Sequence, residues 1–205
     1  MVKKVINETL VFWVAAVVIF FDQYTKYLVR ANLTFNQIWN PVAWLAPYVR
    51  ILHTKNTGAA FGLFKDASLV FAIIAVIVSV IIVYYAVRLP AGLWWMRLVL
   101  GMQLGGAIGN LIDRVLFAGN VTDFISVTIP VIRYDFAVFN IADASISTGV
   151  ALLILIMWLE GRAEQKRQPE PPAADSSASE PPAVEPPSSE PPASEPPQPS
   201  PEAIV

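Results

Sequence analysis

The 205-residue chain contains no cysteine and a single histidine, His53. The first absence excludes a disulfide scaffold, a thiol nucleophile and any Cys-based zinc or iron–sulfur site. It also leaves no redox compartment to read. The second excludes an HExxH metalloprotease and any three-His metal site. Charge is scarce as well: 15% of residues are charged, where a soluble domain carries about 25%. Hydrophobic residues make up 55% and the mean hydropathy is +0.54. This balance argues against a soluble globular domain, a nucleic-acid binder and a coiled coil.

The net charge of −2 joins two unlike parts. Residues 1–167 hold all 14 Lys and Arg against nine acids, whereas 168–205 hold seven acids, no base and 13 of the 17 prolines. In that tail Glu-Pro-Pro recurs at 170, 180, 185, 190 and 195. Repeated proline removes backbone donors and favours extended polyproline II, and there is little apolar surface to offset ordering. The tail is expected to be disordered, a spacer or a docking segment for aromatic grooves.

The body carries four apolar stretches, expected as transmembrane helices at about 10–29, 67–87, 92–112 and 142–159. Each approaches the roughly 20 residues that span a ~30 Å hydrocarbon core. Lys3, Lys4 and the run 10–21 imitate the start of a cleaved signal peptide. Phe21-Asp22-Gln23-Tyr24 follows instead of a small-residue cleavage site, so an uncleaved helix is expected. Four spans put both termini on one side. Seven basic residues fall on that side and six on the other, and the clusters at Lys3–Lys4 and Arg162–Arg167 point it towards the cytoplasm. The long loops, about 30–66 and 114–141, then face outward. Alternation over 125–131 predicts a strand, with a second at 48–52. Gly101, Gly105 and Gly109 form overlapping GxxxG spacings, which allow close packing inside the bundle or a dimer face.

Each acid of the body can be weighed against the cost of charge near a membrane. Asp22 and Lys26, at i and i+4, are expected to pair. Asp113 is expected to pair beside Arg114, and Asp66 and the glutamates to be solvated. Asp123, Asp135 and Asp143 remain. Asp143 opens the fourth helix, where the helix dipole stabilises a carboxylate. It can equally be half of a catalytic pair. Two aspartates can share a proton, one activating water and the other protonating a carbonyl and a leaving amine. A Ser–Lys arrangement drawing on Ser68, Ser126, Ser145 or Ser147 is the alternative, with only Lys65 near Ser68 in support.

Five blocks carry a family resemblance: Asp22-Gln-Tyr-Thr-Lys26, Asn56-Thr-Gly-Ala-Ala-Phe-Gly62, Gly106-Ala-Ile-Gly-Asn-Leu-Ile-Asp-Arg114, Val121-Thr-Asp-Phe-Ile125 and Phe139-Asn-Ile-Ala-Asp143. In this order they resemble lipoprotein signal peptidase (signal peptidase II), the aspartic protease of the bacterial inner membrane. The resemblance implies four transmembrane helices, a small periplasmic β-cradle and a site near the periplasmic surface. It implies removal of signal peptides from diacylglyceryl-modified prolipoproteins just before the lipidated cysteine. It places the catalytic pair on Asp123 and Asp143, and so excludes Asp135. It gives Asn56, Gly58, Gly106, Asn110, Arg114 and Asn140 substrate-binding or supporting roles, and makes Asp22 and Lys26 a supporting pair. No metal or cofactor is expected, nor a nucleic-acid partner; the substrate and membrane lipid are the expected partners of a monomer. The Pro-rich tail is outside the pattern. Trp39, Trp44 and Tyr48 in the first outer loop suit a membrane interface or ordinary packing.

Two other classes make different predictions. A transporter needs polar residues through the bilayer depth, and the second and fourth stretches have almost none. An adaptor would depend on residues 168–205 and tolerate Asp123→Asn.

Overall fold

The computed structural model describes residues 2–58, 67–90 and 92–167. The Pro-rich tail, Lys65, Asp66 and the end of the second motif block lie outside the described residues. Four helices and a small sheet make up the rest: α1 (Val2–Asn32), β1 (Ile38–Trp39), β2 (Val49–Asn56), α2 (Ser68–Ala86), α3 (Trp94–Leu116), β3 (Val121–Ile129), β4 (Tyr134–Asp135) and α4 (Ile141–Arg167). One 3₁₀ turn, Ala43–Leu45, lies between β1 and β2.

Three of these helices are long and apolar enough to cross a membrane: α1 over Thr9–Asn32, α2 over Ser68–Ala86 and α4 over Ile141–Arg162. Few of their residues are buried, as expected where outward side chains meet lipid. The expectation of four spans therefore holds for three. The third stretch is also a helix, but Arg97, Asn110 and Asp113 lower its hydropathy, and all three are buried inside the protein. Most of its polar side chains find partners on neighbouring elements. Arg97, for example, donates to the carbonyls of Leu89 and Pro90.

The helices meet around Val11 and Ala15 of α1, Ile82 and Ala86 of α2 and Leu104 of α3. The glycine stripe of α3 sets the α1–α3 approach. A Cβ at Gly101 or Gly105 would lie 2.6 Å from Val14 or Val18 of α1. Gly106 plays the same part towards α4, where a Cβ would stand 2.6 Å from the Ala142 carbonyl. Close packing within the bundle is thus the use of this stripe.

The sheet is antiparallel with order β1-β2-β3-β4. β3 starts and ends earlier than the expected 125–131. At its start β2 supplies partners, Asn56 for Val121 and Thr54 for Asp123. At its end Pro130 has no N–H, and Arg133 adopts φ 52° in the turn to β4. A register shift between Ile51 and Thr54 lets β2 run on past the expected 48–52 to Asn56.

Candidate active site

Asp123 lies on β3 and is buried. The register places Thr54 opposite it and Asn56 diagonal to it. Thr54 Oγ1 donates to the Asp123 carbonyl at 3.0 Å and Asn56 Nδ2 to Oδ2 at 3.0 Å. The Asn56 Oδ1 in turn accepts from the Gly58 N–H at 2.9 Å, which fixes the amide orientation.

The segment leading into α4 joins β3 at one point. Ile125 N donates to the Phe139 carbonyl at 2.8 Å, and Phe139 N donates back at 3.1 Å. The next residue, Asn140, is fully buried and donates Nδ2 to Asp123 Oδ1 at 2.7 Å. Asn140 is also the N-cap of α4. Its Oδ1 accepts from the Asp143 N–H at 2.9 Å, and its own N–H donates to Asp143 Oδ2 at 3.2 Å. This is a reciprocal capping box. The two readings of Asp143, helix-terminal carboxylate and site residue, are therefore one arrangement.

α1 and α3 hold this assembly from below. Asp22 Oδ1 accepts the Ala142 N–H at 2.9 Å, capping α4 from another helix. The expected Asp22–Lys26 pair forms at 2.8 Å with both side chains fully buried. Lys26 Nζ also donates to Asn110 Oδ1 at 3.0 Å, and Asn110 Nδ2 donates to Asp143 Oδ1 at 2.7 Å. Gly109 makes room, since a Cβ there would lie 2.7 Å from Asp22 Oδ2.

Asp113 is paired, as expected, but with partners from another helix. It does not pair with its neighbour Arg114 but with Lys26 and Arg30, each at 3.5 Å, and it accepts the Thr122 N–H at 2.9 Å. It thereby ties the end of α3 to β3 next to Asp123. Gln23 was missed, and bridges Asp22, the Gly109 carbonyl and Asp113. Helical spacing carries the signal for both: Asp22, Lys26 and Arg30 share one face of α1, and Gly106, Gly109, Asn110 and Asp113 one face of α3.

Asp123 and Asp143 face a common cavity of about 740 Å³, also lined by Asn56, Gly58, Asn110 and Arg114. Its remaining wall is mostly apolar, from Phe71, Val121, Val138, Phe139 and Ile146. Arg114 makes only long contacts, 3.4 Å to the Asn110 carbonyl and 3.5 Å to that of Gly58. Its Nε is buried with no hydrogen-bond partner among the described residues. Burial pushes the Asp123 carboxyl up to about 7, and the Asp143 charge adds to the rise. The hydrogen bonds from Asn56 and Asn140 and the charge of Lys26 act in the opposite direction.

Asp135 stands apart: its side chain is 70% exposed on the edge strand β4, where it bonds Thr128. Of the serines, Ser68 and Ser145 donate to backbone carbonyls and only Ser147 lines the cavity. Lys26 is committed to carboxylates and an amide, so it is no base for a serine.

Fold and site together define an α-helical membrane protein with an acidic cavity at one end of its helices. Comparison with known proteins narrows this. The sequence model of the family described as Signal peptidase (SPase) II matches residues 14–159, and the chain belongs to that family. It is 38% identical to the lipoprotein signal peptidase of Bacillus subtilis (strain 168), over 78% of this chain and 99% of that protein. It is 41% identical to that of Mesorhizobium japonicum, over 67% and 80%. Among solved structures it resembles a bacterial membrane enzyme determined by the in meso method at 2.3 Å, with TM-score 0.65 and 30% identity over 78% of this chain and 93% of the other. A second, at 1.9 Å, gives TM-score 0.62 and 34% identity over 72% and 91%.

Proposed function

We propose that this chain is an aspartic endopeptidase that removes the signal peptide from diacylglyceryl-modified prolipoproteins, just before the lipidated cysteine. One observation carries the reading: Asn140 holds Asp123 with its side chain and Asp143 with its backbone, so that both carboxylates open on one cavity.

The two carboxylates have unequal surroundings. Asp143 sits in the first turn of α4, where the helix dipole favours negative charge, and it accepts from Asn110 and from the Asn140 N–H. These contacts suit it to the part of general base. Asp123 is buried and holds its proton to about pH 7. Water attacks the scissile carbonyl as Asp143 takes one of its protons and Asp123 protonates the carbonyl oxygen. On collapse, the departing amine takes the proton from Asp143 and a hydroxyl proton returns to Asp123. A carboxylic acid and a free amine result, and the dyad is restored.

Asn56, Gly58 and Arg114 face the substrate, and the spare Arg114 donors suit a peptide carbonyl. Asn110, Asn140, Asp22, Lys26 and Gly106 hold the pair in place. All four helices span the bacterial inner membrane, α3 inside the others, with both termini cytoplasmic. The sheet forms the periplasmic cradle beside the site. The enzyme acts as a monomer, with residues 1–167 as its peptidase domain and 168–205 as a spacer. Lateral entry follows from the chemistry, because signal-peptide helix and acyl chains both reside in lipid.

The test is cleavage of a diacylglyceryl-modified prolipoprotein by detergent-purified protein, read as a gel shift. Wild type should cleave, and folded Asp123→Asn and Asp143→Asn should not. Cleavage surviving either change would remove that residue from the pair.

A further inference from the structure

A second groove, of about 440 Å³, lies where α1 ends against β1 and β2. Leu28, Val29, Asn32 and Leu33 form one wall, and Gln37, Trp39 and Ile51 the other. It shares no lining residue with the catalytic cavity. Its size falls in the range of small-molecule sites, about 300–1,000 Å³.

Its walls are held from outside. His53 Nδ1 bonds the Leu33 carbonyl at 2.9 Å, and the His53 backbone bonds Asn36 and Gln37. Gln37 Oε1 accepts from Thr34, closing the turn between α1 and β1. Trp39 and Ile51 are direct cross-strand partners, so their side chains share one face of the sheet. The groove is therefore preformed.

Its position identifies the occupant. The α1 span Thr9–Asn32 has 24 residues. At 1.5 Å per residue it exceeds the ~30 Å hydrocarbon core, so its last turn emerges at the interface. The apolar surface below the groove is continuous with it: Tyr24, Tyr27 and Leu28 are all exposed along α1. Trp39 is 54% exposed at the groove, and tryptophan prefers the headgroup level. One acyl chain rising from the leaflet would follow this apolar wall. We propose that this groove binds an acyl chain of a bilayer glycerophospholipid, with the glycerol region beside Asn32 and Gln37. The bound lipid ties the β1–β2 edge to the membrane. The proposal rests on α1 spanning the bilayer and not on the catalytic reading.

The test uses full-length protein in mixed micelles with a phosphatidylethanolamine that carries a photoactivatable diazirine on one acyl chain. Labelled peptides are mapped by mass spectrometry. Labelling should concentrate on residues 28–39 and around Ile51, and should saturate and yield to unlabelled phosphatidylethanolamine. Ile51→Trp fills the groove, and Leu28→Trp covers it from an exposed rim position that tolerates the change. Either should cut labelling there about tenfold, the effect of ~1.4 kcal/mol in affinity, while labelling elsewhere on α1 persists. Labelling that neither saturates nor responds to Leu28→Trp would reduce the groove to ordinary lipid contact and overturn the proposal. Displacement by diacylglyceryl prolipoprotein but not by phospholipid would overturn it in favour of a substrate exosite.

Discussion

Asn140 donates its side-chain amide to Asp123 over 2.7 Å, while its own backbone N–H is bonded to Asp143. One asparagine thus sets the relation between a strand carboxylate and a helix carboxylate. Asn140→Ala would leave both aspartates in the cavity but remove the bond between them and the cap of α4. Loss of such a cap costs about 1 kcal/mol. Turnover of prolipoprotein should fall far more than thermal stability does. Near-wild-type kcat in a folded Asn140→Ala protein would refute the bridging role.

Under the proposed mechanism, Asp123→Asn and Asp143→Asn each remove one proton-transfer partner. Each should lower kcat by at least the 10²–10⁴-fold typical of a single acid or base. Arg114→Lys should act differently, because it keeps the charge and loses the fork of donors. A rise in KM with a smaller change in kcat is expected, measured by the same gel shift over a range of substrate concentrations.

The pH dependence follows from Asp123. Its carboxyl stands at about 7 in the fold against an ordinary 3.8. The proposed mechanism needs this proton, so kcat/KM should decline as pH rises through about 7; the apparent value belongs to the pair. Stability has a related sign. The folded state binds the proton more tightly than the unfolded chain, so ionising Asp123 carries a cost. That cost is absent below 3.8, grows with pH and is fully present above about 7. Relative to Asp123→Asn, wild type should therefore lose thermal stability across this window. Parallel melting curves of the two proteins from pH 4 to pH 8 would contradict it.

The helices were legible because lipid demands long apolar runs, and the Asp22–Lys26 pair because i, i+4 spacing is local. Asp123 and Asp143 emerged from elimination together with the motif blocks. Asp113 was expected to pair, but its partners, Lys26 and Arg30, were not legible because they come from α1 and meet it only after the glycine stripe has brought the helices together. The two-residue strands β1 and β4 carry too few residues for alternation to register. The start of β3 was hidden because Val121, Thr122, Asp123 and Phe124 are all buried, so no inside–outside alternation exists there to be read. α3 was legible as a helix at 92–112, although its buried polar residues Arg97, Asn110 and Asp113 lower its hydropathy.

The glycine stripe gives a stability prediction. Gly105→Ala would place a Cβ 2.6 Å from Val18 Cβ and 2.9 Å from the Ala15 carbonyl, neither of which can swing away. Overpacking of this kind costs about 1–3 kcal/mol. Gly161→Ala on α4 meets nothing within 4 Å and is the control. Thermal unfolding in detergent should separate the two clearly. Equal melting temperatures would mean that α1 and α3 can part without penalty.

Asp22 makes the sharpest distinction between charge and hydrogen bonding. Its Oδ1 caps the Ala142 N–H and its Oδ2 pairs with Lys26, with both side chains fully buried. Asp22→Ala removes both bonds and strips Lys26 of its nearest counter-charge. Breaking one side of a buried ion pair costs about 3–5 kcal/mol. Asp113 remains 3.5 Å from Lys26 and softens that loss. Asp22→Asn can keep an oxygen on the Ala142 N–H and so retain the α4 cap. If the cap positions Asp143, Asp22→Asn should preserve much of kcat while melting at a lower temperature, and Asp22→Ala should lose both. Equal loss of kcat in the two folded variants would assign the effect to the Lys26 charge acting through Asn110 on Asp143, and would remove the cap from the account of catalysis.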